Sequence, residues 1–536
     1  MLDSPNSIQS VELILLALMV AVACVSGVAR RFGVSYPIVL VLAGLAVSFV
    51  PGIPRIPLPP DIVFWVFLPP LLSAAAWQTS WREFRRNIIS ISMLAFGLVI
   101  FTAIGIAMTA HLFLPDFDWR LGFLLGAVVS PTDAVAASSI AKKVGMPQRI
   151  VDLLEGESLI NDATGLLLLE FGLDMIVHGT QPTLLAGSVR FIWLIAGGCG
   201  IGLLLGGVVC WIERWIDDGP VEIVISIIVP YVAYIAGEKA HASGVIAVVA
   251  CGLLMSQQSS SFFSPQSRLQ SLAVWDALEF LLNGLIFILI GLQLPYVVSG
   301  LHDFTQMQLI GYGASFAILI IALRLVWMYP GEWITHHLRR VFQKDQEKMP
   351  DARHIFVTGW TGMRGVIALA AAISIPYDLS NGQPFRQRNF IVFLTFCVIL
   401  VTLVLQGLTL PSLITALGMS EVKGKGNLLE KKARSLILRA AMKSLQRGRD
   451  NNPKYEQAYQ RLLRQYAHRL DDIGKSGGEA DELDADSRSV AELSLEAAKV
   501  EREELTRLRD RGRISDPLYR TLERELDLIE SRLTSE

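Results

Sequence analysis

The sequence of 536 residues contains 47 Lys and Arg, 49 Asp and Glu and 52% hydrophobic residues, and its formal net charge is -2. Charged residues make up only 18%, whereas soluble domains average roughly 25%, so the composition argues against an ordinary soluble enzyme. A net charge near zero offers no basic surface for nucleic acid. The five cysteines lie in apolar stretches without CxxC spacing, so neither a zinc site nor a disulfide framework is predicted.

Charge is concentrated at the C-terminal end of the chain. The 117 residues from Ser420 onward hold 24 Lys and Arg and 23 Asp and Glu. About 40% of this segment is charged, against about 12% of the residues before it. We therefore predict a transmembrane domain over residues 1–419 and a charged, helical, cytoplasmic tail over residues 420–536.

Apolar runs recur throughout the first 419 residues, and a helix needs roughly 20 mostly apolar residues to cross a bilayer. The predicted fold class is an all-α polytopic membrane protein with about 13 transmembrane helices. The first run contains Glu12 and lacks a basic leading segment, so we interpret it as a span and not as a cleaved signal peptide. The predicted spans are 8–28, 34–50, 61–78, 88–113, 120–141, 150–177, 184–212, 220–238, 242–258, 271–295, 307–330, 354–376 and 390–417.

Basic residues in the loops predict the orientation. They follow the odd-numbered spans up to span 11, as Arg82, Arg85 and Arg86 follow span 3. Because basic loops stay in the cytoplasm, we expect an N-terminus outside and a cytoplasmic C-terminus, in the cell inner membrane. Arg386 and Arg388 are exceptions, since they fall on the predicted outer side.

Two predicted spans are interrupted by helix-breaking residues, and the interruptions lie at corresponding places in the two spans. If span 7 links inverted repeats of six spans, span 5 corresponds to span 12. Span 5 is interrupted at residues 130–133 (SPTD) and span 12 at residues 359–365 (GWTGMRG). Paired interruptions predict two crossed broken helices, whose free carbonyls and helix ends hold an ion near the midplane. Asp133 is either an ion ligand or half of a salt bridge that joins two helices.

Span 6 carries polar side chains that are costly in lipid. Ser158, Asn161 and Asp162 are spaced i, i+3, i+4 and share one helix face, with Glu157 beside Asn161. Placing an ionisable side chain at the centre of the bilayer costs roughly 2.5 to 3.5 kcal/mol, so each one needs a partner or a function. Glu157 is predicted to form a structural ion pair with Arg364 of span 12. Oxygen ligands suit a hard cation such as Na+, and a proton would compete with it for the Asp162 carboxylate, which suffices for exchange.

Several segments resemble the electroneutral branch of the sodium/proton antiporters, the NhaP-type or monovalent cation/proton antiporter 1 branch. The resemblance covers roughly residues 8–417, and the segment with the Asn161-Asp162 pair is its most specific part. The matching segments are 67–72 (FLPPLL), 130–135 (SPTDAV), 156–163 (GESLINDA), 234–244 (YIAGEKAHASG) and 362–365 (GMRG).

The resemblance implies that Asp162 binds both the cation and the proton. By the same match, Ser158 and Asp133 join Asp162 as Na+ ligands, the backbone carbonyl of Thr132 contributes, and Asn161 shapes the site. It also implies a homodimer with mobile core domains, a role in pH homeostasis and no cofactor besides the transported ions.

Two positions depart from the family pattern. Many relatives carry an acidic residue where this chain has Ala74, and a second acidic residue on span 10 is replaced by Asn283. Both replacements reduce the number of titrating groups near the path, which is compatible with electroneutral exchange.

Other functions stay open at this point. K+/H+ or Li+/H+ exchange uses the same oxygen ligands. A membrane-embedded aspartyl enzyme would use Asp133 and Asp162, but the Gly-x-Gly-Asp segment typical of that chemistry is missing. A cation channel would carry far larger currents with little coupling to protons. In the tail, residues 423–447 are basic enough to lie on an anionic membrane surface, and residues 488–535 are predicted to form a solvated helical hairpin in preference to a ligand-sensing domain.

Overall fold

The computed structural model describes residues 5–31, 35–50, 59–114, 116–177, 179, 183–216, 218–262, 265–301, 304–343, 349–379, 382–419, 424–451, 456–475 and 528. The chain divides into two compact units, residues 1–421 and residues 422–536. The first unit contains the predicted spans, and the second corresponds to the charged tail.

Helices make up nearly all of the described part of the first unit. In chain order they are α1 (Pro5–Arg31), α2 (Tyr36–Ser48), α3 (Pro60–Gln78), α4 (Trp81–Arg86), α5 (Ile88–Phe113), α6 (Trp119–Val129), α7 (Ala134–Val144), α8 (Gln148–Val177), α9 (Leu184–Glu213), α10 (Gly219–Lys239), α11 (Gly244–Phe262), α12 (Pro265–Leu292), α13 (Leu294–Val298), α14 (Gln306–Phe342), α15 (Ala352–Trp360), α16 (Val366–Ile373) and α17 (Arg388–Ala416).

The all-helical membrane fold is confirmed, but the number of thirteen spans is not. By length and apolar composition, seven of the described helices could cross a membrane, or eight if the bent pair α6 and α7 is one span. Shorter apolar helices occur within α1, α2 and α11. The predicted spans 6 and 12 correspond to α8 and to the pair α15 and α16. The polar residues of α8 and the break between α15 and α16 explain why apolar length alone does not identify them.

Helix α3 shows how proline interrupts the backbone hydrogen bonds of a span beside the site. Pro70 has no backbone N–H, so the carbonyl of Val66 one turn earlier receives no bond from it. The Tyr231 hydroxyl of α10 donates to that carbonyl at 3.1 Å. A wide π-helical turn at Val63–Phe67 precedes the prolines, and such turns often lie next to functional sites.

The two interrupted helices cross each other, as the paired breaks predict. Helix α6 ends at Val129 and α7 begins at Ala134, with a bend of 42° between them. In the second interrupted helix, α15 ends at Trp360 and α16 begins at Val366. The backbone N–H of Asp133 donates to the carbonyl of Met363 at 2.8 Å, which joins one break to the other.

The described part of the second unit consists of two helices, α18 (Gly424–Asn451) and α19 (Glu456–Lys475). They pack against each other, and the ring of Tyr459 lies against the backbone at Gly448. The predicted hairpin over residues 488–535 lies outside the described residues, apart from position 528.

Candidate functional site

Asp162 lies in the middle of α8 and faces an internal cavity. Its side chain is only 5% exposed, and it lines a cavity of about 280 Å³ together with Asp133, Ser158 and Thr132. Their oxygens come from three places: two successive turns of α8, the break before α7, and the start of α7. Four predicted site residues are therefore brought together at one cavity.

Asp133 and Ser158 are held by the start of α7. Asp133 is the N-cap of this helix, and its Oδ1 accepts a hydrogen bond from the Val135 N–H at 2.8 Å. The Ala134 N–H donates to Ser158 Oγ at 3.3 Å. Because the first N–H groups of a helix lack partners within it, capping explains why polar side chains gather here.

Asn161 turns away from this cavity and toward the break of the first interrupted helix. Its side chain is 1% exposed, and its Nδ2 donates to Thr132 Oγ1 at 2.6 Å. Thr132 Oγ1 in turn donates to Glu157 Oε1 at 3.0 Å. This chain of hydrogen bonds fixes the break against α8.

Glu157 forms its ion pair with Arg324 and not with Arg364, which corrects the prediction from the sequence. Arg324 lies on α14, and its two terminal nitrogens donate to the two carboxylate oxygens at 2.6 and 2.9 Å. Its Nε donates to the Gly359 carbonyl at 3.0 Å. From α14, Arg324 reaches both carboxylate oxygens of Glu157. Such a parallel pair of bonds between an arginine and a carboxylate is strong and geometrically specific.

Arg364 is instead bound to the first interrupted helix. Its guanidinium donates to the backbone carbonyls of Ser130 and Pro131, and its own N–H donates to Thr402 Oγ1 at 3.1 Å. The carbonyls at the end of α6 are free of helix partners and carry partial negative charge. Arg364 therefore joins the two breaks through backbone carbonyls and not through Glu157.

A second cavity lies along α8 from the residue after Asp162 onward. It has a volume of about 380 Å³ and is lined by Ala163 and Thr164 of α8, among other residues. Farther along, Glu170 of α8 forms an exposed ion pair with Arg190 of α9 at 3.1 Å. Two cavities thus flank the same helix, and their linings meet at the consecutive residues Asp162 and Ala163.

Arg324 and the polar residues at the mouth of the first cavity were not predicted from the sequence. A lone arginine within the apolar run of span 11 was a usable signal, because such a residue needs a buried partner. The mouth contains Gln78 and Glu279, whose side chains are joined by a hydrogen bond of 2.9 Å. Asn283, one turn further along α12, is 3% exposed and also lines the cavity. Ala74 is buried and brings no polar group to it.

The chain is similar to known proteins along most of its length. Residues 14–416 match the family model of the transmembrane sodium/hydrogen exchangers. An uncharacterized Na+/H+ exchanger of Mycobacterium tuberculosis is 32% identical over 97% of this chain and 96% of the relative. A sodium, potassium, lithium and rubidium/H+ antiporter of Bacillus pumilus is 33% identical over 81% of this chain and 66% of the relative.

A solved structure has the same fold. The sodium proton antiporter MjNhaP1 from Methanocaldococcus jannaschii matches with a TM-score of 0.58 and 19% identity, over 76% of this chain and 99% of that protein. The chain belongs to the sodium/hydrogen exchanger family, whose members exchange a monovalent cation for a proton across a membrane.

Proposed function

We propose that Asp162 binds a monovalent cation and a proton alternately, and that the cation is Na+. The observation that carries this proposal is the placement of the Asp162 carboxylate in a cavity with three other oxygen-bearing side chains. The two arginines nearby in the fold bind Glu157 and backbone carbonyls. Asp162 therefore has no ion pair among the described residues.

The chemistry of exchange follows from this single carboxylate. A buried carboxylate needs neutralisation, and either a proton or a bound cation provides it. The two ions then exclude each other by competing for the same oxygens. If the protein changes its opening only when the site is neutral, each cation that moves one way is matched by a proton that moves the other way.

The two cavities support alternating access to this residue. The first reaches Asp162 from the end of the bundle where Gln78 and Glu279 lie, and the second reaches the next residue of α8, Ala163. A small movement of α8 against α3 and α11 would transfer Asp162 from one cavity to the other. Such exchange of access around a fixed site is how broken-helix transporters work.

Electroneutral exchange is supported by the charges around the site. The Glu157 charge is balanced by Arg324, and the cavity is lined by the neutral residue Asn283. Asp133 accepts the N–H of Val135 as a helix cap, and the proposal assigns the exchanged charge to Asp162 alone. One titrating carboxylate then carries one proton or one monovalent cation.

Potassium is the alternative cation. Four monovalent cations appear in the name of the Bacillus pumilus relative, and oxygen ligands hold Na+ and K+ alike. Sodium is preferred because the matching family model is defined as a sodium/hydrogen exchanger.

The membrane arrangement belongs to the same proposal. Residues 1–419 would form the antiporter domain, with the N-terminus outside the inner membrane, and residues 420–536 the cytoplasmic tail. A homodimer is supported by α9, which is apolar yet only 17% buried within its most hydrophobic stretch. Such a surface requires lipid or another protein chain as its neighbour.

The experiment is a pH-dye assay with the purified protein in sealed vesicles, to which Na+, K+ and Li+ are added in turn. The wild-type protein should change the internal pH with Na+, whereas Asp162→Asn should not, although it elutes as folded protein in size-exclusion chromatography. A cation-dependent response in Asp162→Asn would contradict the proposal.

A further inference from the structure

Asn283 of α12 lies deeper in the first cavity than the polar residues at its mouth. At the mouth, Gln78 of α3 donates to Glu279 of α12 at 2.9 Å. Asn283 follows Glu279 by four residues, so the two share one face of α12 and lie about 6 Å apart along its axis. Both line the cavity that Asp162 lines. Asn283 therefore lies beside the path of an ion that moves from this mouth to Asp162.

The Asn283 side chain is buried but is not held by a hydrogen bond from its amide nitrogen. It is 3% exposed, and Nδ2 has no hydrogen-bond partner among the described residues. Because the Nδ2 arm is enclosed, Oδ1 is the polar atom of the carboxamide that is available to the cavity. A buried amide with an unmade hydrogen bond destabilises the fold, whereas a leucine there would not carry this penalty. The amide therefore has a use other than packing.

The other residues that α3 and α12 bring to this cavity beyond its mouth are apolar. Ile286 follows Asn283 on α12, and the α3 side of the lining includes Leu71, Leu72 and Ala75. The remaining oxygens near Asp162 come from α7, α8 and the break before α7. On the wall formed by the described residues of α3 and α12, Asn283 Oδ1 is thus the oxygen that an ion meets after the mouth.

We propose that Asn283 Oδ1 is a ligand of the transported cation, which it binds between the mouth of the cavity and Asp162. The inference rests on the proposed function, because the ion is the one that is exchanged at Asp162. Carbonyl oxygens are ligands of hard cations and replace water molecules of the hydration shell. Because the carboxamide has no net charge, it binds the ion weakly enough to release it to the Asp162 carboxylate.

The test measures the KM for Na+ and the maximal rate of exchange in sealed vesicles at alkaline pH, where protons compete least. Asn283→Leu removes the oxygen and keeps a side chain of similar size. Its KM should rise roughly tenfold, while the maximal rate stays within about twofold of wild type, because saturating Na+ offsets a lost binding contact. Asn389→Leu is the matched control, since Asn389 lies on α17 and lines a different cavity. Its KM should not change.

A second variant separates an oxygen ligand from a structural amide. Asn283→Asp keeps an oxygen and adds a negative charge, so it should bind Na+ more tightly and show a KM below that of the wild-type protein. If the fold needed the N–H groups of Asn283 instead, the aspartate would impair exchange as the leucine does. This comparison decides the matter even if Asn283→Leu fails to fold.

The outcomes separate this inference from the proposed function. The inference alone is wrong if Asp162→Asn abolishes exchange while Asn283→Leu keeps the wild-type KM. It is also overturned if Asn283→Leu lowers only the maximal rate, or if the KM of Asn283→Asp is equal to or above that of the wild-type protein. If Asp162→Asn exchanges like the wild-type protein, the proposed role of Asp162 fails, and a raised KM in Asn283→Leu still identifies Asn283 as a cation ligand.

Discussion

The carboxylate of Glu157 on α8 is held by two parallel hydrogen bonds from Arg324 on α14, at 2.6 and 2.9 Å. Both side chains are almost fully buried, with 1% and 2% of their side-chain surface exposed. The same carboxylate accepts the Thr132 hydroxyl, which accepts the Asn161 amide. This ion pair therefore fixes the position of α8 one turn away from Asp162 without occupying Asp162 itself.

Replacement of Arg324 by Met should destabilise the protein strongly. Glu157 would be left as an unpaired buried charge, and the loss of one partner of a buried pair costs about 3 to 5 kcal/mol. The unfolding temperature in detergent should fall, and the double variant Glu157→Gln with Arg324→Met should recover part of it. Arg190→Gln is the control, since its ion pair with Glu170 is exposed and such pairs contribute about 0 to 1 kcal/mol. An equal fall in the control would contradict the assignment.

The role of Asp133 can be separated into its charge and its capping bond. Asparagine caps helices as well as aspartate does, so Asp133→Asn should leave the unfolding temperature nearly unchanged. Its KM for Na+ should nevertheless rise, because a negative charge beside the cation is lost. Asp133→Ala should also lose roughly 1 kcal/mol of stability with the cap. If Asp133→Asn transported with the wild-type KM, Asp133 would be a structural residue only.

Gly365 leaves the space that the Asp133 carboxylate occupies at the crossing of the two breaks. A Cβ at this position would collide with the Asp133 side chain. Gly365→Ala should therefore displace that carboxylate and raise the KM for Na+ at least about tenfold, which corresponds to about 1.4 kcal/mol. Gly200→Ala on α9 is a matched control, because nothing lies within 4 Å of the added atom there. An unchanged KM in Gly365→Ala would show that Asp133 does not need its present position.

Much of the fold could be predicted from apolar runs and from the two breaks. The SPTD and GMRG segments do interrupt helices, since proline lacks an N–H and glycine costs little to unwind. The partner of Glu157 could not be predicted, because pairing between α8 and α14 depends on tertiary packing across 167 residues of chain. An i, i+4 argument works only within one helix.

The basic residues on the predicted outer side have a structural explanation in the case of Arg388. Its Nε and one terminal nitrogen donate to the carbonyls of Ile375 and Ile373, at the end of α16. Its guanidinium also lies 3.7 Å from the ring centre of Tyr377. A cation bound to the last carbonyls of a helix stabilises that helix end. Arg388 therefore serves the fold, and its position is a weak guide to orientation.

The pH dependence of the KM for Na+ tests the central claim most directly. Because protons and Na+ compete for the Asp162 carboxylate, lower pH leaves fewer ionised sites, and the apparent affinity for Na+ must fall. In vesicles, the KM should rise toward tenfold for each pH unit at the acidic end and level off at alkaline pH. A KM that stays constant between roughly pH 6 and pH 8.5 would show separate sites for the two ions and contradict the account.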